Sequence, residues 1–131
     1  MPERKTRVLL VEDSVGLRDT LADVLRAAGM EVDTASDASA ASGRLTHGRY
    51  DVAIVDLVLP GRSGVQVIRE LKSVSPATHV FVCTAYPEGE LVTEAWALGI
   101  EVAISKPADP GLLIGLIEKS VGPAQEGNPK P

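Results

Sequence analysis

The sequence predicts an α/β domain built on a doubly wound, five-stranded parallel sheet, and three features of it lead there. Short apolar runs recur along the chain, segments of helical period lie between them, and four of the runs end in polar residues. A continuous apolar run suits a parallel strand covered by helices on both faces, whereas a strand with one wet face alternates.

The elements follow in order. Residues 7–11 are an apolar strand, and 14–28 place Leu17, Leu21, Val24, Leu25 and Ala28 at helical spacing, with Asp13 or Ser14 as cap and Gly29 as stop. Glu31 to Ala35 alternate as a short strand with a polar side. A helix over 38–47 ends before Gly48, and Asp51 to Asp56 form the third strand. Ser63 to Val74 carry Val67, Ile68, Leu71 and Val74 on one helical face, closed by Pro76. Val80 to Thr84, a helix over 88–98, Glu101 to Ile104 and a last helix over 110–121 complete the series.

A weak internal echo supports the repeated unit. Ala28-Gly29-Met30-Glu31-Val32, His47-Gly48-Arg49-Tyr50-Asp51-Val52 and Leu98-Gly99-Ile100-Glu101-Val102 each read as a helix stop followed by an acidic strand start. Such junctions suit strand-helix units joined by right-handed crossovers. Only Glu31 to Ala35 alternates, which marks an edge strand, and it alone ends without a polar site residue. Both facts fit the flavodoxin-like order 2-1-3-4-5 of a (βα)5 domain, with the switch point between strands 1 and 3.

Composition mainly excludes. A chain of 131 residues, 44% hydrophobic and 24% charged, suits one domain with its own core. A net charge of -5 argues against a nucleic-acid surface, which needs a basic patch. The single cysteine, Cys83, lies inside an apolar strand and reads as a small buried hydrophobe. The longest apolar run near the amino terminus is Val8 to Val11, far short of a membrane span, so a cytoplasmic protein is expected. Residues 1–121 are expected to form the domain and 122–131, with three prolines and two glycines, a disordered tail or linker.

In a parallel sheet the carboxyl ends of the strands share one edge. Glu12, Asp13, Asp56, Thr84 and Lys106 all stand at those ends. Unit charges 4 Å apart interact by about 1 kcal/mol in water and about 4 kcal/mol at an effective dielectric of 20, so three clustered carboxylates resist folding unless a cation offsets them. Mg2+ suits such a set, since it takes oxygen ligands and keeps several waters. Lys106 adds a positive charge on the far side, and Thr84 offers one hydroxyl. A metal, an ammonium, a hydroxyl and a carboxylate nucleophile are the parts of phosphoryl transfer through an aspartyl phosphate. Asp56 stands alone and suits the nucleophile, whereas the adjacent Glu12 and Asp13 suit the metal.

The residues Val11-Glu12-Asp13-Ser14, Asp56-Leu57-Val58-Leu59-Pro60-Gly61-Arg62-Ser63-Gly64, Cys83-Thr84-Ala85 and Ser105-Lys106-Pro107 come in order, one strand-helix unit apart. With them the sequence resembles the receiver domain of two-component response regulators over roughly residues 6–121. The resemblance implies a sensor histidine kinase or phosphotransfer protein as donor to Asp56. It implies Mg2+ on Asp13, Asp56 and the Val58 carbonyl, with Glu12 acting largely through water, and Thr84 and Lys106 on the phosphoryl group. It also implies a cis Lys106-Pro107 bond and an output protein or fused effector domain; a homodimer is left open. The resemblance also implies a Tyr or Phe two residues before the lysine, where this sequence has Ile104. Switching is therefore expected in the loop with Tyr86 and Pro87 and in the helix bearing Trp96.

Each residue also has a structural reading. Asp13 and Ser14 could serve only as a helix cap, Asp56 as a turn residue, Thr84 as a strand-end hydroxyl and Lys106 as a counter-ion. All of them in register make the functional reading the better one. His47 and His79 are expected in solvent, Trp96 packed on its helix, and Gly61 and Gly64 at a turn and a helix entry. Two other functions fit less well. An aspartyl phosphohydrolase needs a second acid two residues after the nucleophile, where Val58 stands. A nucleotide or flavin binder needs a phosphate loop after strand one, where Glu12 and Asp13 repel phosphate.

Overall fold

The computed structural model describes residues 4–122. The strands are β1 (Arg7–Val11), β2 (Glu31–Ala35), β3 (Val52–Asp56), β4 (His79–Thr84) and β5 (Val102–Ser105). The helices are α1 (Val15–Ala27), α2 (Ala38–His47), α3 (Gly64–Val74), α4 (Glu90–Ala97) and α5 (Pro110–Val121). The order is β2-β1-β3-β4-β5, with every neighbouring pair parallel. The expected topology is therefore the observed one, with boundaries moved by a residue or two. The tail expected over 122–131 lies, from residue 123 on, outside the described residues.

Strand parity divides the core. Leu9, Val11, Ala53, Val55, Val80 and Val82 meet α2, α3 and α4 through Ala41, Ile68, Leu71, Val92 and Ala95. On the other face Val8, Leu10, Ile54, Phe81 and Cys83 meet α1 and α5 through Leu25, Leu113 and Ile117. Alternate side chains of a strand point to opposite faces, so each central strand feeds both cores. That is why β1, β3 and β4 look uniformly apolar in sequence. Truncating a fully buried Leu such as Leu71 to Ala costs about 2–5 kcal/mol, so these two layers hold the sheet edge in place.

Two helix stops work as expected: Gly29 and Gly99 adopt φ of 96° and 92°, where a β-carbon is strained. The third member of the echo does not, since Gly48 is extended at φ -140°. There the ring of Tyr50 lies 3.1–3.4 Å from where a β-carbon would sit, so close packing and not handedness favours glycine.

Two expectations are corrected, for Trp96 and His79, and two others gain detail. Trp96 is 49% exposed and not packed away on α4. His79 is not a free loop residue: it opens β4 and its Nδ1 contacts Glu101 Oε2, which the β4–β5 pairing brings near. The cap of α1 falls at Ser14, but its side chain makes no capping bond. Ile104 lies on the α1/α5 face with Phe81, Cys83 and Leu113, while Ala103 packs toward the α2/α3/α4 core. One step along a strand reverses the face. The hydrophobic β5 residue on the α2/α3/α4 side is thus the small Ala103.

Candidate functional site

The carboxyl ends of β1, β3, β4 and β5 do meet. One carboxylate oxygen each from Glu12, Asp13 and Asp56 lies within 4.8 Å of the others. Glu12 and Asp56 are buried at 6% and 5% exposure, whereas Asp13 is exposed. Glu12 is held from several sides. Its backbone N–H donates to Ala35 O at 3.0 Å, and its Oε2 accepts from the Ser14 N–H at 3.0 Å. Asp13 has no side-chain hydrogen bond or ion pair among the described residues.

Asp56 ends β3, and both of its oxygens are engaged. Oδ1 accepts from the Val58 N–H at 3.1 Å, which closes a tight turn after the strand, and Oδ2 accepts from Lys106 Nζ at 2.8 Å. Lys106 Nζ is also 2.8 Å from Glu12 Oε1. The ammonium thus stands between two buried carboxylates and not on the far side of them, and it offsets much of the repulsion that the sequence suggested. Burial alone would lower its pKa, but hydrogen bonds and attraction from Asp56 and Glu12 outweigh this and raise it above the ordinary lysine value. The Lys106 N–H donates to Thr84 O at 2.8 Å, and the Lys106-Pro107 peptide is cis.

Thr84 is 1% exposed, and its Oγ1 accepts from the Tyr86 N–H at 3.0 Å. That bond occupies a lone pair and leaves the hydroxyl proton to donate. Cys83, one residue earlier, is buried on the α1/α5 side, where loss of solvation pushes its thiol up to about 11. It is a neutral packing residue at ordinary pH.

The donor set fits a hard divalent cation. It is all oxygen, it includes the exposed Asp13 so that waters can remain, and the carboxylates converge from two strand ends. Of the three carboxylates only Asp13 is exposed and unengaged among the described residues, and the Val58 carbonyl belongs to the same turn as Asp56. Glu12 and Asp56 each have both oxygens engaged, Glu12 by Ser14 and Lys106 and Asp56 by Val58 and Lys106, so a cation at either would share an oxygen with one of these partners.

Sequence reasoning missed two contributors. Arg18 donates from Nη1 to Glu12 O at 3.1 Å, and its side chain is only 17% exposed. Helical side chains point toward the amino end of their helix, so an arginine one turn into α1 was the available signal. Gly64 lies against the backbone of Asp56, a contact with no local signature in the sequence.

The family model described as "Response regulator receiver domain" matches residues 8–118. The chain belongs to that family. It is 30% identical over 118 residues to the chemotaxis protein CheY of Thermotoga maritima, covering 86% of this chain and 95% of that one. It is 37% identical over 106 residues to a cyclic di-GMP phosphodiesterase of the same organism, covering 81% of this chain but 28% of that protein. Among solved structures it is similar to the response regulator protein TrrA of Thermotoga maritima in complex with Mg(2+)-BeF. That match has a TM-score of 0.78 and 28% identity, and it covers 88% of this chain and 98% of that one. The protein is a receiver domain of two-component systems, a phosphorylation-dependent signalling module. No helix among the described residues is long and apolar enough to cross a membrane.

Proposed function

We propose that Asp56 accepts the phosphoryl group, from a sensor histidine kinase or phosphotransfer protein, and that the protein catalyses only this phosphorylation of itself and the later hydrolysis of the aspartyl phosphate to Asp56 and inorganic phosphate. The observation that carries this reading is the placement of Asp56: buried, bonded to Lys106, and within 4.8 Å of two further carboxylates. When bound on Asp13, Asp56 and the Val58 carbonyl, Mg2+ would neutralise phosphoryl oxygens and orient them. Lys106 supplies a second positive charge that can pass from Asp56 Oδ2 to the incoming phosphoryl oxygens. Thr84 supplies a hydroxyl donor beside it, and the small Ala85 leaves the approach open.

Output then passes to a partner protein or to an effector domain fused to this one, in the cytoplasm and without direct nucleic-acid binding by the domain. Tyr86, whose N–H bonds to Thr84, and Trp96 on α4 are 67% and 49% exposed and are the surface groups through which the change would pass.

Acetyl phosphate with Mg2+ is expected to label the protein once, at Asp56, through a bond labile to base and to hydroxylamine, as mass spectrometry of the labelled peptide would show. Labelling at another residue would remove the assignment. Mg2+ is expected to raise the melting temperature by binding only the folded acid cluster. Asp13→Asn should weaken that binding by about tenfold or more, the factor that 1.4 kcal/mol represents. Glu12→Gln should weaken it less, because Glu12 is already held by Ser14 and Lys106. Equal losses on titration would contradict these roles.

A further inference from the structure

Helix α3 starts on Gly64, and the reason for glycine is not its backbone angle. Among the described residues the glycines with positive φ are 29, 61, 99 and 122, and Gly64 is not one of them. A β-carbon built on Gly64 would stand 2.2 Å from Asp56 O, 2.8 Å from Leu57 Cα and 3.0 Å from the Asp56 carbonyl carbon. All three are backbone atoms, so none can rotate aside as a side-chain tip would. The Gly64 N–H also donates to Leu57 O at 2.9 Å. Other helical glycines differ: Gly16, Gly43 and Gly115 have nothing within 4 Å of such an atom.

We propose that Gly64 is a positioning residue for the phosphoryl acceptor. Its bare α-carbon lets α3 seat directly on the Asp56–Leu57 backbone, and that seat aims the Asp56 carboxylate and the Val58 carbonyl. The inference rests on Asp56 as the acceptor. Real β-carbons essentially never come closer than 3.0 Å to such atoms, so a methyl at Gly64 forces the turn outward. The Asp56 carboxylate is held by Val58 N–H on Oδ1 and by Lys106 on Oδ2. A displaced Asp56–Leu57 backbone strains these two bonds and turns the carboxylate. A misplacement of about 1 Å in a reacting group costs on the order of 100-fold in rate.

The test is Gly64→Ala, compared with Gly43→Ala and Gly115→Ala as helical controls. Three readouts are taken: the acetyl phosphate labelling rate per folded molecule at saturating Mg2+, the Mg2+-induced melting shift, and the amide resonance of Val58. Gly64→Ala is expected to label on the order of 100-fold more slowly, with a reduced Mg2+ shift and a displaced Val58 resonance, while both controls label as wild type. If Gly64→Ala folds only in part, it is placed in the Gly43→Ala Gly115→Ala background, where two better helix formers raise stability. A lower melting temperature with an unchanged labelling rate would overturn the proposal. So would a variant still unfolded in that background, which would make Gly64 a requirement of the fold. Failure of the wild-type protein to be labelled would instead strike at Asp56 as acceptor.

Discussion

Asp56→Asn is expected to abolish phosphoryl labelling while leaving a folded protein. The amide is nearly isosteric with the carboxylate but lacks the anionic oxygen that attacks phosphorus, so the chemical step has no nucleophile. Its oxygen can keep the bond from the Val58 N–H, whereas its NH2 group would face the Lys106 ammonium, donor against donor. Loss of that charged hydrogen bond costs about 1.5–3 kcal/mol. Removal of one of three clustered carboxylates offsets part of this, and Lys106 keeps Glu12 as its partner. The variant should therefore melt a few degrees from wild type and gain less stability from Mg2+. Incorporation of phosphate at the wild-type level, measured by intact mass, would show that another residue accepts it.

Most of the fold could be read from the chain because its signals are local. An apolar run such as Val52–Val55 cannot face water on either side, and the Leu21-Val24-Leu25 stripe has one helical face to cover, although Leu17 at its start is 43% exposed. Boundaries moved where a residue can serve either element. Asp51 reads as the start of β3, but its carboxylate instead accepts from the Arg7 N–H and from Arg4, which ties the chain just before the strand.

The site was legible at the level of which residues meet, since parallel strands must bring Glu12, Asp13, Asp56, Thr84 and Lys106 to one edge. Their mutual contacts were not. The position of Lys106 between two carboxylates, the reach of Arg18 to Glu12 O and the seat of Gly64 on Asp56 are all through-space facts with no spacing rule behind them. The face of Ile104 has another origin. In a strand of four residues parity decides the face, and it puts Ile104 on the α1/α5 side. The structure moves attention to Ala103, whose side is shared with Val92 and Ala95 of α4.

Lys106→Met is expected to be the most damaging substitution in the site for stability. Methionine keeps the length and the apolar stem but removes the ammonium that now bridges Glu12 and Asp56, both of them under 10% exposed. Removing one partner of a buried ion pair leaves uncompensated charge and costs about 3–5 kcal/mol, a large share of the 5–15 kcal/mol that a domain has in total. Because the Lys106 side chain is itself 19% exposed, water can reach the gap and the lower figure, about 3 kcal/mol, is the expected one. Mg2+ restores a positive charge near the same oxygens, so it should stabilise Lys106→Met more than it stabilises wild type. The pH dependence follows from the same contacts. The pKa of Lys106 is raised in the folded state, so its contribution is complete below the unfolded value of 10.5 and is lost as pH rises through the higher folded value. Wild type should therefore lose stability above about pH 10.5 through this group, and Lys106→Met should lack that part of the fall. Thermal melts across pH, with and without Mg2+, measure both effects. A variant as stable as wild type in the absence of Mg2+ would mean that Glu12 and Asp56 can turn into solvent, and that the bridge is not what holds them.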